Sequence, residues 1–210
     1  MTNTKKEIHV NLGPQSYSIT IGAKILNDLS KHLAKQAPSK KIIFITNPNN
    51  PTGTYSTKSE VEKFLKVVGG RDDVIVVFDE AYFEYVRAKD YPNSQDYIKK
   101  YKNVVSFRTM SKVYGLAGLR IGFMIGNPEI ADLCNRVRKA FNINSLAQVA
   151  ALAAVDDVDH LKKKKKVTWE GLDYFYKELN KMGLPYIESQ GNFILFDVGQ
   201  DANIVFEKLL

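Results

Sequence analysis

Short apolar runs alternate with amphipathic segments along most of the chain, and this alternation predicts an α/β fold. The runs "KIIFIT", "VIVVFD" and "NVVSFRT" have the length and the β-branched composition of buried strands. The segments "STKSEVEKFLKVV" and "PEIADLCNRVRKAF" have apolar residues at helical spacing. Because strands that alternate with helices form βαβ units, we expect a mostly parallel sheet with crossover connections.

The two ends of the chain differ in pattern from this alternating part. The first 38 residues are typical of two short strands followed by a helix. After residue 145, two long helical patterns precede a last strand and the start of another helix. We therefore predict three segments, 1–38, 39–145 and 146–210, of which the second is the core of a large domain and the third contains connecting helices and part of a smaller domain.

The composition is that of an ordinary soluble globular protein. Hydrophobic residues make up 44% of the 210 residues and charged residues 25%. No apolar run approaches the roughly 20 residues that a membrane helix needs, and the first residues have no apolar signal core. Cys134 is the single cysteine, which excludes an internal disulfide and fits a reducing compartment. We therefore expect a cytoplasmic protein.

The net charge of +7 does not by itself indicate nucleic acid. Five positive charges fall in one run, Lys162 to Lys166, which we interpret as a solvated part of a helix. Aromatic residues do not alternate with the basic ones, as a single-strand binding surface would require. His9, His32 and His160 lack the spacing of metal ligands, so we predict neither a nucleic-acid interface nor a metal site.

Three motifs follow three successive predicted strands. The turn "NPNNPTG" is made rigid by its prolines, "FDEAY" ends a strand in carboxylates, and "RTMSKVYGLAGLR" contains a lysine between hydroxyls and glycines. Open α/β sheets bind ligands at the carboxyl ends of their strands. The three motifs are therefore expected to meet at one cleft.

Each motif alone has an ordinary interpretation. The first is a turn in many proteins, and Lys112 could be a surface lysine. Asp79 and Glu80 could serve magnesium in a nucleoside triphosphatase, but that class also needs a G-x-x-x-x-G-K-[ST] loop, which the sequence lacks. In combination, the motifs offer a Schiff-base amine, a partner for a pyridinium nitrogen, donors to a ring oxygen and a phosphate clamp. Pyridoxal 5'-phosphate needs this set of groups.

The same stretches carry a family resemblance over residues 40–210. "NPNNPTG", "VVFDEAYFEYV", "SFRTMSKVYGLAGLRIGFMIG" and "FNINSLAQVAALAAVDD" resemble class I/II pyridoxal-phosphate aminotransferases, and within them the histidinol-phosphate aminotransferases. The resemblance implies part of an aspartate-aminotransferase-type large domain, the beginning of a small domain, and a homodimer. It also implies transfer of an amino group from histidinol phosphate to 2-oxoglutarate, giving imidazole acetol phosphate and glutamate.

The resemblance further implies a role for each matching residue. Lys112 matches the catalytic Schiff-base lysine, and Asp79 matches the partner of the pyridinium nitrogen. Asn50 and Tyr82 match the donors to the 3-oxygen of the ring. The phosphate contacts are matched by Thr109, Ser111 and Arg120.

The first 38 residues resemble the opening of a different family, 3-dehydroquinate synthase, which depends on NAD. The sequence contains neither the metal ligands nor the NAD loop of that family, so no activity is carried over. Class I/II aminotransferases also have a phosphate-binding loop and a ring-stacking aromatic residue before the "NPNNPTG" turn. This sequence contains neither. A second hypothesis is therefore a non-catalytic hybrid or truncated chain that folds and at most binds pyridoxal phosphate weakly.

Overall fold

A computed structural model of the chain describes residues 6–13, 16–21 and 41–210. Strands β1 (Lys6–Val10) and β2 (Tyr17–Ile21) pair in antiparallel fashion, as expected for the two predicted opening strands. Gly13 lies in the turn between them with φ of 63°. The helix predicted after this hairpin falls outside the described residues.

The central sheet has four strands in the order β3–β4–β5–β6. They are β3 (Lys41–Thr46), β4 (Val74–Asp79), β5 (Val104–Thr109) and β6 (Gly122–Ile125). The first three strands are parallel, and β6 is antiparallel to β5. The prediction of a mostly parallel α/β sheet is therefore confirmed.

The helices described are α1 (Lys58–Val68), α2 (Ser94–Lys100), α3 (Pro128–Val137), α4 (Ser145–Asp156), α5 (Val158–Met182) and α6 (Ala202–Leu209). Short 3-10 helices cover Phe83–Tyr85 and Ala117–Leu119. Strands β7 (Tyr186–Ile187) and β8 (Leu195–Phe196) form a small antiparallel pair. None of the helices among the described residues combines the length and the apolarity that crossing a bilayer requires.

Helix α1 covers one face of the sheet because its apolar positions repeat at helical spacing. Its residues Val61, Phe64, Leu65 and Val68 are buried in one core cluster with residues of β3, β4, β5 and α2. A capping box at its start satisfies backbone donors in both directions, since Thr57 Oγ1 accepts from the Glu60 amide and the Glu60 carboxylate accepts from the Thr57 amide. This cap agrees with the hydroxyl predicted at the helix start.

Helix α3 is shorter than its sequence pattern, which continues to residue 141. It ends at Val137, and Arg138 leaves it with extended backbone angles. The Arg138 guanidinium donates to Asn135 Oδ1 at 2.9 Å and to Asn142 Oδ1 at 3.0 Å. These bonds hold the chain beyond the helix in a loop.

Helix α5 carries the lysine run and packs close to the carboxyl end of β4. The lysines 162, 163, 164 and 166 are exposed, as predicted for a solvated helix face. Lys165 lies over the ring of Trp169, with its Nζ 5.3 Å from the ring centre. Trp169 Nε1 in turn donates to the Tyr85 carbonyl at 2.8 Å, which ties α5 to the 3-10 helix after β4.

Candidate functional site

A cleft of about 310 Å³ opens at the carboxyl ends of β4 and β5. Five of the predicted site residues line it, namely Asp79, Thr109, Ser111, Lys112 and Arg120. The remaining lining residues are Ala81, Phe107 and Arg108. The structure thus brings the carboxylate of one motif together with the lysine, hydroxyls and arginine of another.

The two other predicted residues, Asn50 and Tyr82, lie beside the cleft. Asn50 Nδ2 donates to the Tyr82 hydroxyl at 2.8 Å. Tyr82 is only 6% exposed, and its ring makes a T-shaped contact with the Phe193 ring, with the ring centres 5.0 Å apart. The Lys112 Nζ lies 5.2 Å from the centre of the Tyr82 ring. Asn50 and Tyr82 therefore connect to the cleft through Lys112.

The loop from Met110 to Ile121 holds Lys112 in place. The Met110 amide donates to the Ile121 carbonyl at 3.1 Å, which closes the loop at its base. Met110 and Val113 are both buried, so Lys112 lies between two anchored positions. The Gly115 amide donates to the Lys112 carbonyl at 3.0 Å, and the φ of 73° at Gly115 favours glycine there.

Packing against protein atoms does not require a glycine at position 118. A Cβ added there meets no atom within 4 Å, and the same is true at Gly115. Within the described residues, close packing therefore explains neither glycine. The positive φ explains Gly115 alone.

Arg120 adopts an unusual backbone conformation at the edge of the cleft. Its φ of 54° and ψ of 50° are left-handed, which costs a residue with a side chain roughly 1 kcal/mol or more. Its Nη1 donates to the Ala117 carbonyl at 2.9 Å. Non-glycine residues in this conformation are concentrated at functional sites.

The cleft has more positive than negative charge. Among its described lining residues, Lys112 and Arg120 are cations beside the single carboxylate of Asp79. The third lining cation, Arg108, is paired with the buried Glu80. Asp79 Oδ1 accepts from the Ala81 amide at 3.2 Å, which orients the carboxylate at the strand end. This distribution suits a ligand with a doubly charged anionic group and a cationic ring nitrogen.

The turn that contains Asn50 is fastened to a segment far along the chain. The Gln190 amide donates to the Gly53 carbonyl at 2.8 Å, and Gln190 Oε1 accepts from the Arg87 amide at 2.7 Å and the Ala88 amide at 3.0 Å. A Cβ added at Gly53 would come within 2.3 Å of Ser189 Oγ. Residues between β7 and β8 therefore join the first motif to the backbone that follows the 3-10 helix Phe83–Tyr85.

Sequence reasoning missed a buried ion pair behind the cleft. Glu80 Oε2 accepts from Arg108 Nε at 3.0 Å, from Ser94 Oγ at 2.8 Å and from Ser106 Oγ at 2.6 Å. The Arg108 guanidinium lies over the Phe83 ring, 3.5 Å from its centre. The available signal was the pair of charges next to Asp79 and Thr109 in otherwise apolar strands, because a buried charge needs a partner.

Two further titratable groups near this ion pair are shifted by burial. Burial raises the pKa of the Glu84 carboxyl, and the nearby Arg108 offsets part of that effect. Burial also raises the pKa of the Tyr91 hydroxyl well above its ordinary value. This hydroxyl donates to the Asn47 carbonyl, which links the ion-pair region to the turn after β3.

Comparison with known proteins identifies the family. The sequence profile described as "Aminotransferase class I and II" matches residues 14–210. The chain belongs to this aminotransferase family.

Among the described residues, no group of three or more histidine, cysteine or carboxylate side chains is arranged to hold a metal ion.

Two curated aminotransferases illustrate how similar the relatives are. The histidinol-phosphate aminotransferase of Bdellovibrio bacteriovorus is 59% identical over 170 residues, which are 81% of this chain and 46% of the relative. That of Caldicellulosiruptor saccharolyticus is 45% identical over 185 residues, which are 88% of this chain and 50% of the relative. The chain spans about half the length of the curated relatives it matches.

Solved structures show the same fold. The histidinol-phosphate aminotransferase of Sinorhizobium meliloti, determined in complex with pyridoxal-5'-phosphate, matches with a TM-score of 0.75 and 30% identity. The match covers 85% of this chain and 47% of that structure. The predicted partial aminotransferase fold is therefore confirmed.

The aminotransferase profile begins earlier than the resemblance at residue 40. Because it starts at residue 14, it includes much of the segment that resembles 3-dehydroquinate synthase. That second resemblance stays a prediction, and so does the division into segments 1–38, 39–145 and 146–210.

Proposed function

We propose that the chain is an aminotransferase of the histidinol-phosphate type that holds pyridoxal 5'-phosphate through Lys112. The observation that carries the proposal is the cleft at the strand ends, where Lys112 lies with Asp79, two hydroxyls and Arg120. Family membership supports the same chemistry, because the Sinorhizobium meliloti relative was solved with this cofactor.

The residues of the cleft fit the cofactor. Pyridoxal phosphate, when bound, supplies an aldehyde that condenses with a lysine amine and a ring that withdraws electrons from the substrate's α-carbon. The planar fork of Arg120 and the hydroxyls of Thr109 and Ser111 suit its phosphate. The Asp79 carboxylate suits the ring nitrogen, and the cleft volume of about 310 Å³ falls at the lower end for small-ligand sites.

Lys112 is assigned the covalent link and the movement of a proton. A lysine acts as nucleophile or base only as the neutral amine. With the cofactor bound, Lys112 would hold its aldehyde carbon, and its free amine would take a proton from the substrate's α-carbon. Asp79 would pair with the protonated ring nitrogen, which would support the ring as an acceptor of electrons.

The names of the relatives support the choice of substrates. With histidinol phosphate as amino donor and 2-oxoglutarate as acceptor, the amino group moves to give imidazole acetol phosphate and glutamate. Both curated relatives described above are named for this donor. The 2-oxo acid acceptor follows from the aminotransferase family.

The cofactor claim is tested by adding pyridoxal phosphate to the purified chain and recording the visible spectrum. We expect a visible band in the parent that is absent in Lys112→Ala and present in Lys63→Ala, a control at an exposed position on α1. Borohydride reduction followed by peptide mass spectrometry should place the cofactor on Lys112. Absence of the band from the parent would contradict the proposal.

The turnover claim is tested on the same sample. Histidinol phosphate should reduce the band, and 2-oxoglutarate should restore it. A band that responds to neither compound would overturn the transfer reaction and favour the alternative of a chain that only binds the cofactor.

The proposed partner is a second copy of the chain. Helix α4 presents apolar side chains to solvent, with Leu146 and Leu152 both 73% exposed, and Phe141 in the loop before it is 96% exposed. Sedimentation velocity with the cofactor should give a dimer for the parent and a monomer for Leu152→Glu. A monomeric parent at all concentrations would contradict this assembly.

The proposed location is the cytoplasm, where an exposed single cysteine such as Cys134 stays reduced. Cell fractionation checks this assignment.

The antiparallel pairing of β1 with β2 is compatible with the 3-dehydroquinate synthase resemblance, which we keep as a proposal about lineage with no activity attached.

A further inference from the structure

The Glu80–Arg108 ion pair lies directly behind the cleft and has no part in the chemistry proposed above. The side chain of Glu80 is 1% exposed and that of Arg108 is 10% exposed. Arg108 reaches Glu80 Oε2 with both Nε and Nη2 at 3.0 Å. Arg108 is also one of the residues that line the cleft.

The pair joins the two strand ends that carry the proposed cofactor contacts. Glu80 directly follows Asp79 at the end of β4, and Arg108 directly precedes Thr109 at the end of β5. The Glu80 amide donates to the Phe107 carbonyl at 2.9 Å, so a backbone hydrogen bond links the strands at the same level. The ion pair therefore connects the strand end that carries Asp79 with the strand end that leads into the Lys112 loop.

Stability alone is a weak reason for a buried ion pair. The cost of removing two charges from water usually offsets their attraction, and well-packed apolar residues are often as stable. Removing one partner alone, however, leaves the other charge buried and uncompensated. If Glu80 lost its charge, the Arg108 cation would act on the cleft without its counter-ion.

Resting on the proposed function, we propose that Glu80 and Arg108 form a positioning pair for the cofactor site. The pair fixes the separation of Asp79 from the Lys112 loop, and Glu80 compensates the Arg108 charge at the wall of the cleft. The other charged groups that line the cleft with Lys112 are Asp79 from β4 and Arg120, which follows the 3-10 helix.

The claim that Glu80 compensates the Arg108 charge is tested without cofactor. The measurement is the pH dependence of Lys112 acetylation by acetic anhydride, followed by peptide mass spectrometry. In Glu80→Gln the uncompensated cation should favour the neutral amine and move the labelling midpoint down by about 0.5 pH unit or more. In Glu80→Gln/Arg108→Met, which removes both charges, the midpoint should return toward the parent value. The control is Asp73→Asn, which breaks an exposed pair with Arg71. An unchanged midpoint in Glu80→Gln overturns this part.

The positioning part is tested with pyridoxal phosphate and urea on the same double variant. Its urea midpoint should stay near that of the parent, whereas the dissociation constant for the cofactor should rise about tenfold or more because the contacts are misplaced. Arg108→Lys, which keeps the charge, should recover part of the affinity. A double variant that binds the cofactor as tightly as the parent overturns the positioning role.

The two proposals fail in different ways. A parent chain that never binds pyridoxal phosphate contradicts the proposed function, and the acetylation profile of Lys112 still decides whether Glu80 compensates the Arg108 charge. If Glu80→Gln does not fold, the double variant and Arg108→Lys carry the comparison, since neither leaves an unpaired arginine at position 108.

Discussion

The Asn50 side-chain amide donates a hydrogen bond to the Tyr82 hydroxyl at 2.8 Å, although 32 residues separate the two in sequence. Asn50 follows β3 and Tyr82 follows β4, so the bond joins the ends of neighbouring parallel strands. Both residues are proposed to contact the same ring oxygen of the cofactor. Their geometry is therefore set before any ligand arrives, which reduces the entropy lost on binding.

Tyr82→Phe should weaken cofactor binding while leaving the fold intact. The substitution removes the hydroxyl that meets Asn50 but keeps the ring that packs against Phe193. Loss of one hydrogen bond of about 1.5 kcal/mol corresponds to roughly a tenfold rise in the dissociation constant. Spectroscopic titration with pyridoxal phosphate measures it. Tyr174→Phe, at a position that is 63% exposed, is the control, and equal affinities in the two variants would refute the role of the hydroxyl.

Asp79→Asn should affect the rate more than the formation of the visible band. The amide cannot stabilise a protonated ring nitrogen, so proton removal from the substrate should slow by about a hundredfold or more. Single-turnover kinetics with histidinol phosphate provide the measurement. Asp73→Asn serves as the control because Asp73 pairs with Arg71 at the surface, and similar rates in both variants would argue against the assignment of Asp79.

Gly53→Ala should destabilise the protein strongly. The new Cβ would lie 2.3 Å from Ser189 Oγ and 2.8 Å from Ser189 Cα, and the φ of 74° at Gly53 disfavours any side chain. We expect the free energy of unfolding to fall by about 2 kcal/mol or more in urea titrations. Gly118→Ala is the matched control, since its Cβ meets no atom within 4 Å. Equal losses in the two variants would show that the contact with Ser189 is unimportant.

Glu84→Gln should stabilise the protein at neutral pH and much less at acidic pH. Burial raises the pKa of Glu84 in the folded state, so folding is favoured when this carboxyl is protonated. The stabilisation that Glu84 contributes is fully present below its pKa in the unfolded chain. It is lost as the pH rises through its pKa in the folded state. The amide should therefore raise the free energy of unfolding at pH 7 by up to about 1 kcal/mol.

Urea titrations at pH 7 and below about pH 4 test this dependence on protonation. Glu207→Gln, at an exposed position on α6, is the control. If Glu84→Gln and the parent differ in free energy of unfolding by the same amount at both pH values, that result would contradict the assignment of the effect to protonation of Glu84.

Much of the fold and part of the cleft could be predicted because they depend on local patterns. Helix α4 lies where the first of the two long helical patterns in the last segment predicts a helix, and the strand-end rule brought Asp79 and Lys112 into one cleft. Helix α2 was missed because its seven residues, "SQDYIKK", are too few to show a period. The roles assigned to the site residues are predictions that the geometry accommodates.

Contacts between distant segments could not be predicted in the same way. The sequence shows that Glu80 and Arg108 are charged, but their burial as a pair depends on the register of β4 against β5. The position of Tyr82 beside the cleft also depends on Phe193, which follows it by more than a hundred residues. Side-chain periodicity within one strand or helix carries no information about such partners.

The bond between Gln190 and Gly53 also has a consequence for the order in which the site is completed during synthesis. Chains are synthesised from the amino terminus, and a domain folds as a unit once its residues have been made. The turn with Asn50, the sheet and the Lys112 loop are all synthesised before Gln190. The Gln190 backbone amide then bonds the Gly53 carbonyl of that turn, and its side chain accepts from the Arg87 and Ala88 amides. A nascent chain that stops before Ser189 contains every residue proposed to contact the cofactor. It lacks the hydrogen bond that fixes the turn with Asn50. Translation of the segment before β8 is therefore the step that fixes the Asn50 turn.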